Sequence, residues 1–80
     1  MQCLVITGAS SGIGYATAET FRGDGYRVIN LSRSVCDIDG VLNLTGDLSD
    51  PRFLPFISES LAAAVVDADS LCLVHNAARL

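Results

Sequence analysis

The sequence predicts an α/β fold built on a small parallel sheet. Three observations carry that expectation. A short apolar run, Cys3-Leu4-Val5-Ile6, leads into a glycine-rich turn and then into a segment with helical spacing. Further short apolar runs follow, bounded by polar or glycine-containing turns, as expected of strands buried on both faces. Half of the 80 residues are apolar, a globular composition and not a disordered one.

The first strand is expected at residues 2–7. The turn that follows reads Thr7-Gly8-Ala9-Ser10-Ser11-Gly12-Ile13-Gly14. Strand, glycine-rich turn and helix make the shape of a phosphate cradle. Glycine lets backbone approach a bulky anion and permits positive φ. The amides of residues 11–14 then lie at a helix start, with the positive end of the helix dipole behind them. Ser10 and Ser11 can cap that helix or donate hydroxyls to phosphate oxygens. A glycine-rich turn alone also serves backbone geometry with no ligand. Here both flanks have the right period, which favours the ligand.

The first helix is expected at residues 12–22, with Ile13, Ala16, Thr17, Thr20 and Phe21 on the sheet side and Glu19 and Arg22 towards water. Gly23 and Gly25 stop it, one of them as a left-handed cap. The second strand is expected at 26–31, with Asn30 interrupting Val28, Ile29 and Leu31. Ser32-Arg33-Ser34 then stands at its carboxyl end, where open parallel sheets bind ligands. Residues 35–40 lead to a third strand at 41–44. That link is shorter than the dozen or so residues of an ordinary parallel crossover. It reads as a loop that leaves part of one sheet face uncovered. Thr45-Gly46-Asp47-Leu48 closes the third strand. Asp50 and Pro51 form a helix start, as cap and first helical residue. The second helix runs from 51 or 52 to about 66, with Phe53, Ile57, Leu61, Ala64 and Val65 on one face. Pro55 is near enough to its start to be tolerated. A fourth strand at 70–74 ends in His75-Asn76-Ala77-Ala78.

A chain of 80 residues makes one small domain, marginal by itself. The net charge of −4 argues against a nucleic-acid partner. Three widely spaced cysteines, Cys3, Cys36 and Cys72, suggest neither a disulfide framework nor a metal site, so a reduced, cytoplasmic setting is expected. No leader pattern and no apolar run approaching a membrane span is seen. All five basic residues are arginines.

Thr7-Gly8-Ala9-Ser10-Ser11-Gly12-Ile13-Gly14 resembles the Thr-Gly-x-x-x-Gly-x-Gly cofactor motif of the short-chain dehydrogenase/reductase family. That family has a Rossmann fold, binds NAD or NADP, and interconverts alcohols and carbonyl compounds. The resemblance implies a partial Rossmann domain over residues 1–80, incomplete at its carboxyl side. Its four-stranded parallel sheet is ordered 3-2-1-4, with about two helices, one on each face. It also implies cofactor contacts from Gly8, Ser10, Ser11, Gly12, Ile13 and Gly14. The family often carries an acid near the end of the second strand, which grips the adenosine ribose. This chain has Arg33 there. A guanidinium favours a ribose 2′-phosphate, so the resemblance implies NADP, with NAD less favoured and Ser32 and Arg33 as the readers. Asp47 and Leu48 resemble the family's Asp-Leu pair, which implies an adenine contact from the Asp47 acid and a backbone contact from Leu48. Asp47 also suits a turn, and one residue can do both. His75-Asn76-Ala77-Ala78 resembles the family's Asn-Asn-Ala-Gly motif, which lines the cofactor's ribose and implies contacts from Asn76, Ala77 and Ala78, with Asn76 and Ala77 the matching residues. His75 and Ala78 depart from it.

The family's catalytic Ser, Tyr and Lys lie beyond this stretch in the family's order. Tyr15 is followed four residues later by Glu19 and Tyr26 by Asn30, and with no lysine in the chain no Tyr-x-x-x-Lys exists. A phenol ordinarily titrates near 10 and needs such a cation to exchange protons near neutrality. No catalytic residue is carried over, and His75 reads as structural. The expectation is a truncated, inactive NADP-binding portion, with a small carbonyl or alcohol substrate only in a full-length parent. The alternative is a non-catalytic nucleotide- or partner-binding module, associating through an open fourth strand.

Overall fold

The computed structural model describes residues 1–9, 12–47 and 49–75. The order is β1 (Gln2–Thr7), α1 (Gly12–Gly23), β2 (Arg27–Ser32), β3 (Leu42–Thr45), α2 (Phe53–Val65) and β4 (Ser70–His75). All strand pairs are parallel, in the expected order β3-β2-β1-β4. β1 is central, and its residues 3–7 are all buried.

Side chains alternate across a strand, so β1 and β2 serve two cores. Leu4, Ile6 and Val28 pack with Ala9, Ala18 and Cys36 on the α1 side. Val5, Ile29 and Leu31 pack with Phe53 and Ile57 on the α2 side. The two helices therefore cover opposite faces. The predicted apolar face of α2 is the one used, with Leu61, Ala64 and Val65 completing it. Arg27 Nη1 donates to the Ala64 carbonyl at 2.6 Å and to Asp67 at 2.9 Å, which ties the end of α2 to the start of β2.

The face of α1 differs from expectation. Gly14 and Ala18 are its buried residues, with Tyr15 and Phe21 packed partly against the core. Ile13 is 79% exposed, and Ala16 and Thr20 also face water. The sheet-facing stripe is made of small residues, which let the helix approach closely but leave no apolar signal. Thr17 and Thr20 instead return their hydroxyls to the carbonyls of Ile13 and Ala16. The stop signal is as expected. Tyr26 N donates to Phe21 O at 3.0 Å and Gly25 N to Arg22 O at 3.1 Å, with Gly25 at φ +87°. This is a Schellman motif, and the Tyr26 ring packs edge-on to Phe21 at 4.8 Å. Tyr26 closes the helix, so β2 starts one residue later than predicted.

No helix joins β2 to β3, as the short link predicts. The sheet is less bare there than expected, because Cys36 is buried and Ile38 and Val41 pack onto the α1-side core. Val41 N bonds to Ile38 O in a turn, so β3 also starts one residue late. Asp50 does not cap α2. Its carboxylate accepts from Arg52 N at 2.9 Å in the turn just before, and Arg52 holds the cap position without a side-chain cap. On β4, Leu71 and Leu73 are 57% and 69% exposed. Among the described residues no helix is long and apolar enough to cross a membrane.

Candidate functional site

Parallel strands point the same way, so the carboxyl ends of β1, β2, β3 and β4 lie along one edge of the sheet. The registers fix this: Thr7 lies opposite Leu31 and His75, and Ser32 opposite Thr45. The expected site residues that the structure describes all lie on that edge or in the first turn of α1. Ser10, Ser11, Leu48, Asn76, Ala77 and Ala78 lie outside the described residues.

The chain leaves β1 through Gly8, at φ +74°, and enters α1 through Gly12, at φ +62°. The amides of Gly8 and Ala9 are used internally. Gly8 N donates to Leu31 O at 3.1 Å, and Ala9 N to Asn30 Oδ1 at 3.0 Å. The first amides of α1, on Gly12, Ile13 and Gly14, have no acceptor within the helix, as at any helix start. A Cβ on Gly12 would meet nothing within 4 Å. Among the described residues nothing crowds that position, so glycine is required there by φ. Gly14 is buried on the sheet side and sets how closely α1 packs.

Arg33 follows β2, with its side chain 74% exposed, and its guanidinium lies 3.6 Å from Asp47 Oδ1. Two expected site residues on separate loops thus meet in a loose, solvated pair. Asp47 Oδ1 also accepts from Ser49 Oγ at 2.7 Å and Ser49 N at 2.9 Å. These bonds, more than Arg33, hold its pKa below the usual carboxylate range. Asp47 is a turn residue as well as a site candidate. Ser32 is only 8% exposed, and its Oγ accepts from Ser34 N at 3.3 Å. Its hydroxyl shapes the turn that carries Arg33. Beside Asp47 lies a shallow groove of about 360 Å³ bounded by Gly46, Phe53 and the exposed Phe56.

Asn30 is the residue whose role the sequence reading missed. It is wholly buried in β2. Its Oδ1 accepts from Ala9 N, and its Nδ2 donates to Ser34 O at 3.1 Å and to Asn43 Oδ1 at 2.9 Å. Asn43, on β3, in turn accepts from Cys36 N and donates to Cys36 O. The network joins the glycine turn, β2, β3 and the 33–41 loop. Among the described residues no buried side-chain N or O lacks a partner. A polar residue inside an apolar strand run was the available signal, since burial without partners is costly.

His75 Nδ1 lies 3.1 Å from Thr7 Oγ1 and links the ends of β4 and β1. Hydrogen bonding to Asp37 pushes the Tyr15 phenol above its ordinary pKa, away from neutrality. Among the described residues no cluster of ligating side chains suits a metal ion.

No protein-family model matches the sequence. Protein FixR of Bradyrhizobium diazoefficiens is 35% identical over 81 aligned positions, covering 92% of this chain and 29% of FixR. A short-chain dehydrogenase/reductase from Burkholderia vietnamiensis superposes with a TM-score of 0.78 at 26% identity, over 99% of this chain and 40% of that one. 4-Hydroxyisoleucine dehydrogenase complexed with NADH gives a TM-score of 0.73 at 25% identity, over 89% of this chain and 31% of that one. The chain thus spans between about three-tenths and two-fifths of the length of these relatives. Motif, strand order and these likenesses agree: the chain is similar to the short-chain dehydrogenases/reductases and matches a part of their fold.

Proposed function

We propose that this chain is the NADP-binding portion of a short-chain alcohol/carbonyl oxidoreductase. The observation that carries the proposal is the start of α1, entered through Gly12 at positive φ, on the same edge of the sheet as the Arg33–Asp47 pair, at the carboxyl ends of the strands. The amides of Gly12, Ile13 and Gly14, with the hydroxyls of Ser10 and Ser11 and the bend at Gly8, take the pyrophosphate. Arg33 takes a ribose 2′-phosphate, and Ser32 holds the turn that presents it. Asp47 and the backbone of Leu48 meet the adenine, with Phe53 and Phe56 as an apolar wall. Asn76, Ala77 and Ala78 line the ribose. The NADH carried by 4-hydroxyisoleucine dehydrogenase supports a nicotinamide dinucleotide, and the arginine after β2 supports its phosphorylated form.

The bound nicotinamide supplies hydride chemistry. These 80 residues, lacking lysine, supply no Tyr-x-x-x-Lys pair to exchange the accompanying proton. The 80-residue chain is therefore expected to bind and not to turn over. Titrating NADPH and NADH while following melting temperature tests the binding. A rise with NADPH larger than with NADH is expected. No shift at about millimolar cofactor overturns the reading, because binding to the native state must raise stability by mass action. Oxidation of NADPH by any carbonyl compound with the pure chain overturns the non-catalytic part.

A further inference from the structure

We infer that Asn30 is a positioning residue for cofactor selectivity, coupling the glycine turn to the loop that carries Arg33. The inference rests on the proposed dinucleotide site and deepens it. A single buried amide reaches both places where the proposal puts phosphate. Its Oδ1 holds Ala9 N of the glycine turn at 3.0 Å. Its Nδ2 holds Ser34 O, the carbonyl one residue beyond Arg33, at 3.1 Å. The second Nδ2 proton goes to Asn43 Oδ1, which also holds Cys36 N at 2.8 Å. The backbone on the carboxyl side of Arg33 is thus fixed at two points, Ser34 and Cys36, by one connected pair of amides. Ser32 Oγ, accepting from Ser34 N, adds a second bond at Ser34.

The Arg33 side chain itself is exposed, and among the described residues its polar contact is the long one to Asp47. Its aim is therefore set by its backbone, and its backbone is set by Asn30. An exposed arginine on an unfixed loop would spend conformational entropy to meet a phosphate, and preorganisation lowers that cost. The two ends of the Asn30 amide separate the two effects. The acceptor end supports a part of the site that NADH and NADPH share. The donor end supports the part that only NADPH uses.

Asn30→Asp tests this. It keeps an acceptor for Ala9 N and replaces the donors to Ser34 O and Asn43 Oδ1 with a second acceptor. Isothermal titration of the 80-residue chain with NADPH and with NADH should show the NADPH preference falling by about fivefold or more, while NADH affinity changes by no more than about twofold. Ile57→Val, in the α2-side core on the opposite face of the sheet from the Asn30 side chain, is the control for lost stability. It should lower the melting temperature and leave the preference unchanged. Hydrogen exchange on the unliganded Asn30→Asp chain should be faster at residues 34–36 and unchanged at Ala9. An unchanged preference in Asn30→Asp, with wild type binding normally, overturns the inference alone. A preference lost equally in Ile57→Val overturns it too. Wild type binding neither dinucleotide overturns the site proposal and this inference with it.

Discussion

The glycine at the mouth of α1 offers a test in which strain and ligand contact separate. Gly12 and Gly25 both have positive φ, +62° and +87°, and a Cβ on either would meet nothing within 4 Å. Alanine at each position therefore carries the same kind of penalty, with no collision added. Left-handed backbone costs an L-residue about 1–2 kcal/mol, offset by about half a kcal/mol or more of unfolded-chain entropy. Each variant should lose about 1 kcal/mol, which for a domain of this size lowers the melting temperature by roughly 4–8 °C. The two differ in place. Gly12 opens α1, where pyrophosphate is proposed to sit, and Gly25 closes its other end. A methyl at Gly12 occupies the open space the anion needs and weakens NADPH binding by about tenfold or more, equivalent to about 1.4 kcal/mol. Gly25→Ala leaves binding unchanged. Thermal melts and calorimetric titration of the two variants, side by side, decide the matter. Equal binding losses, or a Gly12→Ala chain that binds NADPH as wild type does, would refute the cradle.

Arg33→Ala should weaken NADPH binding about tenfold and leave NADH nearly unaffected in the same titration. Its melting temperature should hardly move, because an exposed, solvent-screened pair at 3.6 Å adds little to stability. Asn30→Leu should cost about 2–3 kcal/mol in urea unfolding, since it strands the buried Ala9 amide. A loss below about half a kcal/mol would contradict the network's structural role. Asp47, Asp50 and Asp67 have lowered pKa values, held down chiefly by hydrogen bonds from Ser49, Arg52 and Arg27 respectively. In that range the unfolded chain binds more protons than the folded one. Their stabilisation is therefore complete above the ordinary carboxylate pKa of about 4 and disappears as pH falls below it. Urea midpoints measured between about pH 2.5 and 6 should fall on the acid side, and Asp67→Asn should flatten that fall.

The order of elements was legible because each strand run was short, apolar and punctuated. α2 was legible to the residue face because Phe53, Ile57 and Leu61 are large and spaced four apart. α1 was not, because its sheet-facing side is Gly14 and Ala18, and small residues carry no hydrophobic signal while still deciding the packing. The site's outline came from glycines and from Arg33 and Asp47, whose chemistry is local to the loops that bear them. Asn30 was visible only as an interruption. Its meaning depends on Ala9 being 21 residues before it and Asn43 13 after it, a closeness that only the folded sheet creates. The 33–41 loop was read as leaving the sheet bare for the same reason: Cys36 and Ile38 look like loop residues until Asn43 fastens them down.

The central claim is that helix-mouth amides and one arginine hold the two phosphate-bearing parts of a single dinucleotide. Titrating NADPH into the isotope-labelled 80-residue chain, while following backbone amides and the Arg33 side chain by NMR, tests it most directly. The account predicts saturable shifts centred on Gly12, Ile13, Gly14 and Arg33, with those at Arg33 absent when NADH replaces NADPH. Shifts confined to other surfaces, or none at millimolar cofactor, would contradict it.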